Sequence, residues 1–145
     1  MQSLTVWVDG SSRPDGSGWA VISPSERLVV RGDYPGATNQ QAELAAVIQA
    51  VYRYGPQITI VTDSMYAIGC FSKWYQRWLK NGWRNAKGDP VENRQLIELG
   101  LQHRANEAQY RHVSGHSGDT YNDMADHYAK HSYKRPGDTD WHVVM

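Results

Sequence analysis

The chain has 145 residues, the size of one domain with a single hydrophobic core. Apolar residues make up 40% and charged residues 21%, which excludes wholesale disorder, and no apolar run is long enough to cross a bilayer. Fifteen basic and fifteen acidic side chains give a formal net charge of zero, which argues against a generic basic coat for nucleic acid.

Met1 to Asp9 is neither basic nor followed by a long apolar stretch, so no signal peptide is expected. Within it Leu4, Val6 and Val8 share one face and Thr5, Trp7 and Asp9 the other, a strand ending at Asp9-Gly10. The Gly/Ser/Pro-rich stretch Gly10 to Gly18 reads as a loop. Trp19 to Ser23 and Arg27 to Asp33 read as two further strands, completing an antiparallel meander.

The period then changes. Asn39 to Arg53 is rich in helix formers, with Thr38 or Asn39 as N-cap and Gly55-Pro56 as the stop. Gln57 to Thr62 is a short β-branched run, a buried strand ending at Asp63. Helices follow over Ser64 to Cys70 and Lys73 to Lys80, the second closed by Asn81-Gly82. Pro90 opens another, Val91 to His103. Glu107 to Val113 is a fifth strand, and Asp119 caps a last helix to about Tyr133. The tail from Lys134 to Met145 is polar and expected to be loosely held. The order βββαβαααβα, without internal repeat or linker, predicts a single α/β domain over residues 1–145. Its five-stranded mixed sheet would carry helices on its faces. The only cysteine, Cys70, can form no internal disulfide and suits a reducing cytosol.

The zero net charge hides an uneven distribution. From Phe71 to Arg94 the basic residues are Lys73, Arg77, Lys80, Arg84, Lys87 and Arg94, against Asp89 and Glu92, a local surplus of +4. The remainder carries nine basic and thirteen acidic residues, or −4. Trp74, Tyr75, Trp78 and Trp83 interleave with the basic residues. Such a segment on an acidic body fits a polyanion contact beside a separate acidic site, or else a solvated helix with a buried aromatic stripe.

If the first and fourth strands are parallel neighbours, Asp9 and Asp63 emerge at one sheet edge, where sites of open α/β sheets lie. Taken singly, either reads as a turn or helix-capping aspartate. Glu43 shares an apolar helical stripe with Ala46, Val47 and Ala50, where it loses hydration unless partnered, and a cation is a natural partner. Asp126, on the last helix, reads alone as a surface residue. Four gathered carboxylates would repel strongly. Hard divalent cations resolve that, since Mg²⁺ prefers oxygen ligands and two such ions about 4 Å apart can activate water for phosphodiester cleavage. Of the six histidines, His127 and His131 are spaced i, i+4, but no Cys or His cluster completes a zinc site. His116, flanked by Gly115 and Gly118, reads as a solvent histidine or as an acid/base near the metals.

Several blocks together carry a family resemblance. They are Asp9-Gly10-Ser11, Thr38-Asn39-Gln40-Gln41-Ala42-Glu43-Leu44, Thr62-Asp63-Ser64, Gly115-His116-Ser117-Gly118 and Asn122-Asp123-Met124-Ala125-Asp126. In this order, over Leu4 to about Tyr133, the chain resembles type-1 ribonuclease H, which cuts RNA in RNA–DNA hybrids. Asp123 is a departure, since the family often has Glu there. The resemblance implies the ribonuclease H-like fold and little sequence preference, with products bearing 5′-phosphate and 3′-hydroxyl ends. It implies that Asp9, Glu43, Asp63 and Asp126 hold two Mg²⁺ ions, with Mn²⁺ as a substitute, and that His116 assists turnover. Ser72 to Arg94 resembles the family's basic protrusion, the handle. There Lys73, Arg77, Lys80 and Arg84 would meet phosphates, and Tyr66, Trp74 and Trp78 would line a channel for the DNA strand. Thr38 and Asn93 would form a DNA-phosphate pocket, and Ser11, Asn39 and Gln40 would lie near the RNA. A cytoplasmic monomer acting on RNA–DNA hybrids, without membrane attachment, is expected. The competing readings are a junction-resolvase-like nuclease of the same fold and a non-catalytic hybrid-binding module.

Overall fold

A computed structural model describes residues 4–115, 117–130 and 140–143. Strands β1 (Leu4–Arg13), β2 (Gly16–Ser23) and β3 (Leu28–Asp33) form the meander, followed by α1 (Asn39–Tyr54) and β4 (Ile58–Thr62). Next come α2 (Met65–Gly69), α3 (Tyr75–Asn81), α4 (Arg94–Gln102), β5 (Gln109–His112), α5 (Thr120–Lys130) and β6 (Asp140–Val143). The sheet order is β5-β4-β1-β2-β3-β6. β4 lies parallel to both β1 and β5, and the remaining pairs are antiparallel. The predicted five-stranded mixed sheet is present, extended by one strand.

Alternation along β1 sorts the two faces. Val6 and Val8 join Val21, Val30 and Ile60 under Leu44, Val47 and Val51 of α1, in a main core that also takes Phe71 and Ile97. Trp7 turns to the opposite face, where a smaller cluster of Ile22, Val29 and Ala125 seats α5. Trp7 meets Tyr121 there with ring centroids 4.9 Å apart.

Local chemistry sets the element ends. Thr38 and Gln41 form a reciprocal capping box at the start of α1, the Gln41 amide donating to the Thr38 hydroxyl and the Thr38 amide to the Gln41 side chain. Gly55 ends that helix and Gly82 ends α3, both at positive φ. No helix among the described residues is long and apolar enough to cross a membrane.

Several boundaries differ from the sequence reading. Gly10 to Arg13 continues β1 instead of forming a loop, and the hairpin turns at Pro14-Asp15. Small polar residues hide the alternation, but backbone pairing to β2 holds them extended. Asp9 therefore lies inside β1 and does not end it. The helix break expected after Cys70 is absent. Cys70–Trp74 is a widened helical turn joining α2 to α3, and the Ser72 hydroxyl donates to the Ile68 carbonyl within it. α4 starts at Arg94 because Asn93 has φ 62° and the Val91 amide is tied back to the Trp83 carbonyl. The tail supplies β6, whose backbone pairs with the otherwise open edge of β3.

The tightest helix-sheet contact is at Gly10. A Cβ there would lie 2.2 Å from the Ala42 carbonyl carbon and the Glu43 amide nitrogen. Backbone atoms cannot swing aside, so Gly10→Ala is expected to cost about 3 kcal/mol, as overpacking does. A denaturant midpoint equal to that of the unmodified protein would contradict this packing.

Candidate active site

The site forms where the sheet parts. β1 and β4 pair in register only as far as Trp7 and Val61. Two residues further along each strand come Asp9 and Asp63, side by side beyond the last paired residues. Asp9 is 4% exposed and its Oδ1 accepts the Gly10 amide at 2.9 Å. Because Gly10 lets α1 cross so close to β1, Glu43 on that helix meets the same point. Carboxylate oxygens of Asp9, Glu43 and Asp63 all lie within 4.8 Å of one another. Asp126 approaches from α5, close enough that its negative charge raises the Asp9 carboxyl. It also pairs with Lys130 at 2.9 Å. The structure thus brings four predicted carboxylates together, with Asp126 flanking the tight group of three.

The electrostatics follow from burial. Burial pushes the Asp9 carboxyl up to about 8, with the charges of Asp63 and Asp126 adding to the shift and the Gly10 amide opposing it. Burial also raises Glu43, while the Ser64 hydroxyl stabilises its charged form and Asp63 disfavours it. Ser64 was not singled out by the sequence reading. Its hydroxyl accepts the Ala67 amide at 3.0 Å as the N-cap of α2 and donates to Glu43 Oε2 at 2.7 Å. A serine directly after the strand-ending Asp63 was the available signal, but only α1 overhead reveals its second role. His116 lies outside the described residues, so the structure does not place it.

The remaining predicted contacts flank this centre. Asn39 accepts the Ser12 amide at 2.8 Å, tying the start of α1 to the β1–β2 hairpin, and Ser11 is buried nearby in β1. Thr38, Asn39, Gln40, Gln41, Glu92 and Asn93 line a cleft of about 480 Å³. Gln41 donates to Asn93 Oδ1, and Asn93 donates to the Tyr66 hydroxyl. Tyr66 is therefore half-buried and anchors the cleft wall. Trp74, Trp78 and Trp83 continue from it as a ladder with centroids 5.9–6.4 Å apart. The aromatic stripe of this segment is partly buried, as one of the two readings expects. Trp74 and Trp78 pack against the main core, while Lys73, Arg77 and Lys80 stand exposed and share a second cleft with Trp74. Arg84 is exposed in the loop beyond.

With this geometry in place, similarity to known proteins becomes interpretable. The RNase H family profile matches residues 1–134. The chain belongs to the RNase H family. It is 34% identical to the ribonuclease H of Syntrophomonas wolfei, over 94% of this chain and all of that one. It is 35% identical to the ribonuclease HI of Xylella fastidiosa, over 90% and 91% of the two chains. The crystal structure of LC9-RNase H1, described as a type 1 RNase H with the type 2 active-site motif, superposes with a TM-score of 0.66. It has 24% identity, covering 89% of this chain and 72% of that one, and shows the shared fold. The RNase H family is metal-dependent, and the all-oxygen donor set of the carboxylate cluster fits a hard divalent cation.

A buried acid with a raised pKa destabilises the metal-free fold as pH rises. Unfolded, Asp9 ionises near its ordinary 3.8, and folded only near about 8, so the folded state holds an extra proton between these values. Stability associated with Asp9 is therefore lost from about pH 4 to about pH 8. Asp9→Asn is expected to raise the Tm of metal-free protein at pH 8 by about 4 °C or more, and not at pH 4. Mg²⁺ should narrow the gap by stabilising the unmodified protein more. Equal Tm differences at both pH values in thermal scans would contradict the strained carboxylate cluster.

Proposed function

We propose that this ribonuclease H hydrolyses the RNA strand of RNA–DNA hybrids at the site formed by Asp9, Glu43, Asp63 and Asp126, with two Mg²⁺ ions as the working metals. The observation that carries this reading is the three-carboxylate group within 4.8 Å, with Asp126 close enough for its charge to raise the buried Asp9 carboxyl. So much negative charge in a partly desolvated pocket fits cation binding better than a structural role. Divalent ions held there supply an activated water and neutralise charge at phosphorus.

The protein's own groups orient the rest. The Gly10 amide holds Asp9, and the Ser64 hydroxyl fixes the Glu43 carboxylate. Exposed Asn39 and Gln40 form a polar surface suited to ribose hydroxyls across a shallow minor groove, with Ser11 buried in β1 beside them. The Thr38–Asn93 cleft suits a phosphate of the DNA strand. Exposed Lys73, Arg77, Lys80 and Arg84 meet further phosphates, which position the duplex without reading its sequence. His116 would serve proton transfer or product release. The fully buried Cys70, its thiol pushed up to about 12 by burial, suits a reducing cytosol, and the reading includes a monomeric single-domain enzyme.

Matched RNA–DNA, RNA–RNA and DNA–DNA duplexes, with and without Mg²⁺, test the function directly. Cleavage confined to RNA in the hybrid, leaving 5′-phosphate and 3′-hydroxyl ends, is expected. It should be abolished in Asp9→Asn and Asp63→Asn. Products with 2′,3′-cyclic phosphate would exclude this chemistry, and preferential cutting of DNA duplexes would point to a resolvase-like enzyme.

Neutralising Lys73, Arg77, Lys80 and Arg84 together should raise KM more than it lowers kcat and flatten the salt dependence, because counterion release is lost. Loss of kcat at unchanged KM would remove the handle from substrate binding.

A further inference from the structure

Among the described residues, the sheet contains a charged side chain whose burial the carboxylate site does not explain. Arg31, in β3, is 0% exposed and points to the α5 face, as Val29 does. Its Nε donates to the Tyr128 carbonyl at 2.8 Å, and its Nη2 meets Asp33 Oδ1 at 2.8 Å. A guanidinium on a helix carbonyl makes a charge-assisted, directional hydrogen bond at one fixed point along the helix. Gly18 makes the reach possible. A Cβ on it would lie 2.8 Å from the Ala129 carbonyl oxygen and 3.0 Å from Arg31 Nη2. α5 at Ala129 thus rests on the β2 backbone, close enough for Arg31 to reach the Tyr128 carbonyl.

α5 rests on the sheet through buried Asn122, Ala125 and Ala129 and through Tyr121, Met124 and Tyr128, which pack with Trp7 against Ile22 and Val29. The Trp7–Tyr121 ring contact lies near the start of the helix. Toward Tyr128, the directional hydrogen bond from a buried, paired cation fixes a point along the helix axis that apolar packing alone leaves free to slide. Asp126 lies two residues before Tyr128 on the same helix, and it must reach Asp9 on β1.

We propose that Arg31 is a positioning residue for the site. Its hydrogen bond to the Tyr128 carbonyl sets the register of α5, and thereby the point at which Asp126 meets Asp9. This rests on the reading of Asp126 as part of the active site.

The test uses the full chain with Arg31→Met, which keeps the volume and removes the donors, and Arg31→Lys, which keeps the charge and removes the fork. Asp126→Asn, alone and combined with Arg31→Met, closes a double-mutant cycle. Steady-state kinetics on an RNA–DNA hybrid are read alongside calorimetric binding of Mn²⁺ without substrate, at a temperature where circular dichroism shows the helices intact. Arg31→Met should lower kcat by about 10- to 100-fold, the size of effect a displaced catalytic group produces, with KM little changed. It should weaken Mn²⁺ binding, add little to the loss already caused by Asp126→Asn, and be partly rescued in Arg31→Lys. Unmodified kcat and Mn²⁺ affinity in Arg31→Met, or losses that multiply in the double variant, would overturn the proposal. If Arg31→Met does not fold, Arg31→Lys decides, and normal kcat and Mn²⁺ affinity in it are the overturning result. Full activity in Asp126→Asn would instead overturn the reading of Asp126, and this inference with it.

Discussion

The contact between the α1 backbone and Gly10 is the constraint on which the site depends. A helix normally stands off a sheet by the length of the side chains between them. Here the absence of one side chain lets the Ala42-Glu43 backbone come down onto β1. Glu43 then reaches the plane of Asp9 instead of hanging above it. The parallel register of β1 and β4 brings Asp63 to the same point, and Ser64 links the two arrivals by bonding Glu43 from the start of α2. The main apolar core under α1 supplies the adhesion that keeps these carboxylates together against their repulsion.

That repulsion is built into the fold and is what makes the site selective for its ligand. Burial and neighbouring charge hold the Asp9 carboxyl toward neutrality. A cation with a preference for hard oxygen donors removes the strain, while a neutral ligand does not. Net charge zero is therefore a cancellation of two parts: an acidic body that carries the carboxylate cluster and a basic segment with a surplus of +4. The two are joined physically. The Gln41–Asn93–Tyr66 hydrogen bonds and the tryptophan ladder run from the start of α1 into the basic segment, so that segment is braced against the helix that carries Glu43.

The two faces of the sheet are held by different means. On the α1 face, packing of large aliphatic side chains fixes position by shape. On the α5 face a smaller cluster packs with Trp7 and Tyr121, and a buried arginine with a carbonyl and a carboxylate partner adds a directional contact. Asp126 approaches the centre from this second face, paired with Lys130 on one side and adding its charge to that of Asp63 around Asp9 on the other.

The sequence by itself determined the order of the first ten elements, the inward face of β1, an N-cap of α1 at Thr38 or Asn39, the ends at Gly55 and Gly82, and the candidate carboxylates, with the structure choosing Thr38. These follow from local propensity, side-chain period and motif spacing, all of which act over a few residues. It misread Gly10 to Arg13 as a loop, because that segment is extended through pairing with β2 and not through its own composition. It divided a continuous helix near Cys70 and left the tail unpaired, because long-range packing and the open edge of β3 decide those segments. It also passed over Ser64 and Arg31. A serine after a strand and an arginine in a strand carry no local signal of their partners, which lie 21 and 97 residues away along the chain. Only the tertiary structure supplies those partners, because hydrogen bonds between distant segments exist only once packing has brought the segments together.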